Sequence, residues 1–217
     1  NNTVIKFFND KKINLKRVER TKYFPEGLIP KIFNYSDNYF SMELIKGTIL
    51  SAKYSKNLII DLLDYMFLHF WNKTFEDVNF KDICYKFYHD KTIDRINKGF
   101  DKKLTIDYDM INGEQINDIF SLIKKINFND LCLDNPTLFH GDFILDNILL
   151  NDKNEYCLID WRQDFQGNIE YGDMYYDLAK LRHNLQFNHE NIDQQLFTIK
   201  DINQSTCIID MKCNFFL

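Results

Sequence analysis

The sequence predicts an α+β protein in which a small antiparallel sheet precedes a mostly helical region. Three observations carry that prediction. Residues 1–50 set short β-branched and aromatic runs between polar turns. Beyond Gly47 the apolar residues recur at helical steps. Late in the chain, two more strand-like runs flank the polar turn Asn151 to Glu155.

In order, TVIKFFND reads as a strand that stops at the turn formers Asn9 and Asp10, and a helical stretch follows through Glu19 and Tyr23. IPKIFNY and YFSMELI, split by Ser36, Asp37 and Asn38, predict an antiparallel hairpin. Leu58, Ile59, Leu62, Leu63, Met66, Phe67 and Phe70 then mark one face of an amphipathic helix. Further helices are expected around Thr92 to Phe100 and Gln115 to Ile126, and from about Asp173 to Leu185, where Tyr176, Leu178, Ala179 and Leu181 are core candidates. The tail from Leu196 to Leu217 reads as a hairpin. No repeat or low-complexity tract interrupts the chain, and the boundary falls between residues 1–50 and 51–217, where strands give way to helices.

Composition excludes several classes of function. With 45% hydrophobic and 27% charged residues among 217, the chain can bury a sizeable core, so disorder is not expected. A net charge of −5 argues against an extended polyanion such as a nucleic acid, and the Lys-rich stretch from Asp10 to Lys22 reads as a solvated face. Cysteines at 84, 132, 157, 207 and 213 form neither a C-x-x-C pair nor a zinc-like cluster with His, which points to free thiols in a reducing cytoplasm. Leu58 to Trp71, the longest apolar stretch, carries Asp61 and Asp64 and is too short to span a bilayer, so no membrane role is expected. Nor is a secretory signal expected from the opening residues.

The chemistry concentrates in LFHGDFILDNILLNDKNEYCLIDW. Phosphoryl transfer to an alcohol requires a carboxylate near the incoming hydroxyl, hard oxygen ligands for magnesium, and a cation over the phosphates. Asp142 and Asn147 stand at the D-x-x-x-x-N interval of a kinase catalytic loop, and the apolar run YCLID delivers Asp160 from the end of a second strand. Lys6, inside the apolar strand VIKF, offers the cation. Each piece has a plain structural reading when taken singly. Asp142 then reads as a helix cap, Asp160 as a turn residue and Lys6 as a solvated lysine on an edge strand.

As an ordered set, H-G-D-x-x-x-x-N followed by I-D-W resembles the aminoglycoside phosphotransferase and choline kinase-like family, whereas protein kinases carry H-R-D and D-F-G. The resemblance implies a two-lobed protein-kinase-like fold, with a small, truncated antiparallel N-terminal lobe (1–50) and a mostly helical C-terminal lobe (51–217). It implies Asp142 as catalytic base, Asn147 and Asp160 as magnesium ligands within the catalytic set, and His140 as organiser of the loop. YGDMYYDLAKL is similar to the family's G-D-x-x-x-D-L-A helix start, with Asp177 bracing the loop and Asp173 at the helix N-terminus.

The same resemblance casts Lys6 as the phosphate lysine and Glu19 as its ion-pair partner, ahead of Glu26, which Pro25 and Gly27 place in a loop. FSMELIKGTIL resembles the hinge, where Met42, Glu43, Leu44 and Ile45 would hold the nucleotide base; its other reading is a core strand ending at Gly47. The implied cofactors are Mg2+ and ATP, with GTP as an alternative, and the implied acceptor is a hydroxyl on a small molecule such as a sugar, amino alcohol or aminoglycoside. Arg162, Gln163, Asp164, Tyr171, Tyr175 and Tyr176 lie near the motifs in sequence without naming an acceptor. A phosphate-covering strand pair would lie N-terminal to Lys6 in the family, so either a longer parent chain or a reduced cover is expected. The competing expectation is a catalytically weak, kinase-like nucleotide-binding module.

Overall fold

The apolar runs at the start of the chain pair as antiparallel strands in a computed structural model that describes residues 2–101, 108–131, 135–187 and 194–211. Strands β1 (Thr3–Phe7) and β2 (Ile32–Tyr35) flank β3 (Tyr39–Glu43), with Lys6 opposite Phe40 and Val4 opposite Met42. Between β1 and β2 runs α1 (Lys11–Arg20), capped by the Asp10 side chain, which accepts from the Lys12 N–H at 2.8 Å. Its inward face is polar. Asn14, Arg17 and Arg20 follow one another at helical spacing, and Asn14 is buried while its Nδ2 donates to the carbonyls of Ser36 (2.7 Å), Asp37 (3.2 Å) and Tyr39 (3.3 Å). That side chain therefore fixes the β2–β3 turn.

Past the sheet, β4 (Gly47–Ile49) pairs with β7 (Ile148–Asn151), which pairs with β8 (Tyr156–Leu158), all antiparallel. Only glycine allows this approach: a Cβ on Gly47 would stand 2.4 Å from the Leu150 carbonyl oxygen. Helix α2 (Lys56–His69) is capped by Ser55 and buries Ile59, Leu62 and Met66, the face that the periodicity predicts. An aromatic core joins these pieces. Trp161 packs on Phe40 and Phe24, Phe24 on Phe70, and Trp71 on Phe143, with ring centroids 5.2–6.0 Å apart. These buried rings, with Leu28, Leu62, Met66 and Ile148, supply apolar area that holds α2, the first sheet and the β7–β8 hairpin together.

Contacts divide the chain into two compact units, Asn1–Val78 with Asn135–Leu181, and Asn79–Asp134 with Arg182–Leu217. Everything above lies in the first. In the second, the helix expected at Thr92 to Phe100 is the end of a longer run: α3 (Phe80–Tyr85), a π-helical turn (Lys86–Asp90) and α4 (Lys91–Asp101). Strands β5 (Met110–Ile111) and β6 (Glu114–Gln115) lead to α5 (Ile119–Lys124). This corrects the expected helix start at Gln115: that residue pairs with Met110 in a strand, and the helix begins only after Asp118, whose side chain caps the Ser121 N–H at 3.0 Å.

Helix α6 (Met174–Gln186) lies within one residue of its expected bounds. Strands β9 (Phe197–Asn203) and β10 (Thr206–Met211) form the expected tail hairpin, and β10 adds to β5 in parallel. The remainder of that tail, which includes Cys213, lies outside the described residues, as does Cys132. The architecture is thus mixed α+β, built of helices and small, mainly antiparallel sheets, and is compatible with a kinase-like fold. Among the described residues, no helix is long and apolar enough to cross a membrane.

Candidate active site

The β7–β8 hairpin sets the site's frame. Ile148 faces Leu158 across the ladder, and a short 3-10 turn, Leu145–Asn147, leads into β7. One residue beyond the ladder, the Ile159 N–H donates to the Asn147 carbonyl at 2.9 Å, so Asp160 emerges beside the turn that carries Asn147. Asp160 adopts a left-handed backbone with φ +61°, sparsely populated for a side chain of its size and held here by its neighbours. Trp161 supplies one anchor: its ring is buried and its Nε1 donates to the Arg17 carbonyl at 2.8 Å.

Asp142 is held at three of its oxygens. Asn147 Nδ2 donates to its main-chain carbonyl at 2.9 Å and to Oδ2 at 3.1 Å, and Lys180 Nζ lies 2.8 Å from Oδ1. Its carboxylate remains 40% exposed despite these contacts. Lys180 was not singled out in the sequence reading. The signal was present, since Lys180 lies three residues past Asp177 and so one turn along the same helix face.

Beneath Asp142, His140 is fully buried. Its Nδ1 accepts the Asp142 N–H at 3.2 Å, which puts the ring proton on Nε2, 2.9 Å from the Ile159 carbonyl. Burial, with Arg20 nearby, pushes its pKa down to about 4, in keeping with a neutral ring. Asp177 receives the N–H groups of His140 (2.6 Å) and Gly141 (2.7 Å) and, at 3.3 Å, the Trp71 indole. Burial pushes its carboxyl up to about 7 against the pull of these donors. Gly141 has φ +88°, and a Cβ there would lie 2.4 Å from that of Arg162, which explains the glycine of the motif. Asp173 accepts the Tyr175 N–H at 2.8 Å and caps α6.

Arg20 is a second residue that the sequence reading missed. It is buried, and its guanidinium donates to the carbonyls of Phe139 (2.6 Å), Ile169 (3.0 Å) and Arg162, lying 3.9 Å over the Phe139 ring. It therefore ties both flanks of the site to α1. Burial lowers its pKa to about 9, with Asp177 opposing, so it remains a cation near neutrality.

The expected pairing of Lys6 with Glu19 is not what the side chains form. Lys6 Nζ pairs with Asp160 Oδ1, and Arg17 Nη1 lies 3.6 Å from the same oxygen. Glu19 instead pairs with Lys22 at 3.0 Å on the exposed side. The reason is helix phase: two residues at ~100° each turn Glu19 to the face opposite Arg17. Met42 is buried in β3 between Val4 and Ile32. The Glu43 N–H bonds to the Lys31 carbonyl at 2.9 Å and the Leu44 N–H to that of Asn2 at 3.1 Å, so these donors of the expected hinge already have partners. Glu43, Leu44 and Ile45 line a cleft of about 370 Å³ with Asn2, Lys46 and the Asn151–Lys153 turn.

Among the described residues, no cluster of three or more His, Cys, Asp or Glu side chains is arranged to hold a metal. Magnesium asks for less, because one or two protein oxygens suffice when substrate phosphates complete the shell. An amide oxygen on Asn147 and the carboxylate of Asp160, joined through the Ile159–Asn147 bond, are the hard donors that fit it.

Compared with known proteins, residues 122–196 match the family model described as the phosphotransferase enzyme family. This segment contains HGDFILDN, IDW and YGDMYYDLAKL, in agreement with the aminoglycoside phosphotransferase and choline kinase-like resemblance. Searches of curated proteins and of solved structures gave no significant match.

Proposed function

We propose that this chain, on the strength of its phosphotransferase segment, is a kinase that moves the γ-phosphate of ATP, or of GTP, onto a hydroxyl of a small molecule such as a sugar, amino alcohol or aminoglycoside. The observation that carries the reading is the joining of Asp142, Asn147 and Asp160 at one end of the β7–β8 hairpin, with Lys6 paired to Asp160.

Asp142 is the base. As the acceptor oxygen bonds to the γ-phosphorus, its proton passes to the Asp142 carboxylate. The bond from phosphorus to the β,γ-bridging oxygen breaks, and the nucleoside diphosphate leaves with that electron pair. Asn147 and Lys180 hold Asp142 in line, and neutral His140 with Asp177 keeps the loop from turning. Asn147 and Asp160 would hold Mg2+, whose chemistry is to neutralise phosphate charge. Lys6 reaches the α- and β-phosphates, and Glu43 to Ile45 border the base from the cleft they line, with buried Met42 supporting them from within the sheet. In this reading residues 1–50 are the nucleotide lobe, residues 51–217 the catalytic lobe, and the setting is the cytoplasm.

The test is Asp142→Ala, assayed for magnesium-dependent release of phosphate from ATP and for transfer to a panel of choline, sugars and aminoglycosides. Loss of a positioned base should slow turnover by roughly 10²–10⁴-fold, about 3–5 kcal/mol of barrier. Unchanged turnover in that variant would defeat the proposal. A catalytically weak nucleotide-binding module is the second reading, favoured by the two cations already resting on Asp160. It requires nucleotide binding with no turnover in the unaltered chain.

A further inference from the structure

We propose that Arg17 is a second phosphate-binding cation, acting beside Lys6 on the polyphosphate of the nucleotide donor; this rests on the kinase reading above. Two cations from different elements, Lys6 on β1 and Arg17 on α1, meet at one carboxylate oxygen, Asp160 Oδ1. One carboxylate balances only one of them. Asp142 is the next acidic group acting on Arg17, while Arg162 adds a like charge to the cluster. The helix's own acid, Glu19, is turned away towards Lys22.

Arg17 is also built to face this point. Its main-chain carbonyl holds the Trp161 indole at 2.8 Å, and its guanidinium lies 5.1 Å from the Phe8 ring centroid, which restrains both ends of the side chain. Its hydrogen-bonding capacity is unspent: Nε is buried without a partner, and Nη1 is 3.6 Å from Asp160, beyond hydrogen-bond range. A planar fork of donors with spare capacity, in a cluster with excess positive charge, suits paired phosphate oxygens. Asp160 thus acts as an internal stand-in for phosphate, and an incoming polyphosphate would take over both cations. The chain should accordingly bind phosphates even without metal.

The experiment titrates ATP, inorganic tripolyphosphate and adenosine into the whole chain by calorimetry, with chelator and then with magnesium, for the wild type, Arg17→Met, Arg17→Lys and Lys6→Met. Wild type should bind tripolyphosphate in chelator. Arg17→Met should weaken tripolyphosphate and ATP by roughly tenfold to a hundredfold, as expected for a hydrogen bond between charged groups, and leave adenosine unchanged. Arg17→Lys, which keeps the charge and loses the fork, should fall between the two, and it carries the test should the Met variant fail to fold.

Undiminished binding of tripolyphosphate by Arg17→Met, or by Arg17→Lys where only that variant folds, overturns the proposal. If ATP turnover in the same wild-type preparation still depends on Asp142, the kinase reading survives that outcome. A wild type that binds neither ATP nor tripolyphosphate overturns both.

Discussion

At His140 the position of a single proton links the site to stability. The ring is neutral, with Nδ1 accepting from the Asp142 backbone, so protonation would set two N–H groups against each other. Its native pKa of about 4 lies below the ordinary 6.5. As pH falls through 6.5 towards 4, the unfolded chain takes up a proton that the native chain refuses, and the stability due to this ring is lost over that window. Asp177 works in the opposite sense. Its native value of about 7 exceeds the ordinary 3.8, so its contribution is present at low pH and is lost as pH rises from about 4 through 7. Because the two act in opposite senses over overlapping pH windows, bulk melting is a poor probe, and an NMR titration of the His140 ring is the direct one. The ring should stay neutral down to about pH 5; a midpoint near 6.5 would show that the packing around it is wrong.

Between elements, the β4–β7 pairing is open to a single change. Gly47 brings two backbones together where a Cβ has no room. Gly47→Ala should cost about 1–3 kcal/mol in urea denaturation, as overpacking does, and should speed hydrogen exchange at Thr48 and Leu150. Unchanged exchange would mean that the strands are not paired as described. Helix α6 shows a different economy, since spacing alone lets one rigid element deliver Asp173 as cap, Asp177 as brace and Lys180 to the Asp142 carboxylate. Helix α1 does the same with Asn14, Arg17 and Arg20, and so a basic helix turns its two arginines inward while Lys11, Lys12 and Glu19 stay exposed.

For the molecule as a whole, ligand linkage is the most telling measurement. Nucleotide with magnesium should raise the melting temperature, by the equivalent of about 2.7 kcal/mol at a hundredfold excess over Kd. Magnesium alone should shift it little, because Lys6 already pairs with the Asp160 carboxylate and Arg17 adds a second positive charge beside it. Stabilisation by magnesium alone would contradict that arrangement, and no response to any nucleotide would leave a scaffold without a nucleotide site.

Much of this was legible in the residues because it is local. Turn formers at Asn9 and Asp10, the apolar steps from Leu58 to Phe70 and the bounds of α6 depend on backbone preferences and on periods of a few residues. The H-G-D-x-x-x-x-N spacing is local too, and its Asn147–Asp142 bonds span only five positions. Lys6 and Asp160, by contrast, are 154 positions apart, and Arg20 and Phe139 are 119 apart. Which face of α1 meets the hairpin across such distances is set by the bonds that the helix makes there, from the Trp161 indole to the Arg17 carbonyl and from Asn14 and Arg20 to the carbonyls of Ser36 and Phe139. The sequence by itself thus determined the local elements of the first fifty residues, of α2 and of α6, and the motif spacings. Only the tertiary structure turned Glu19 outward and Arg17 inward, because a helix's period orders its faces while the core it packs against chooses which of them is buried.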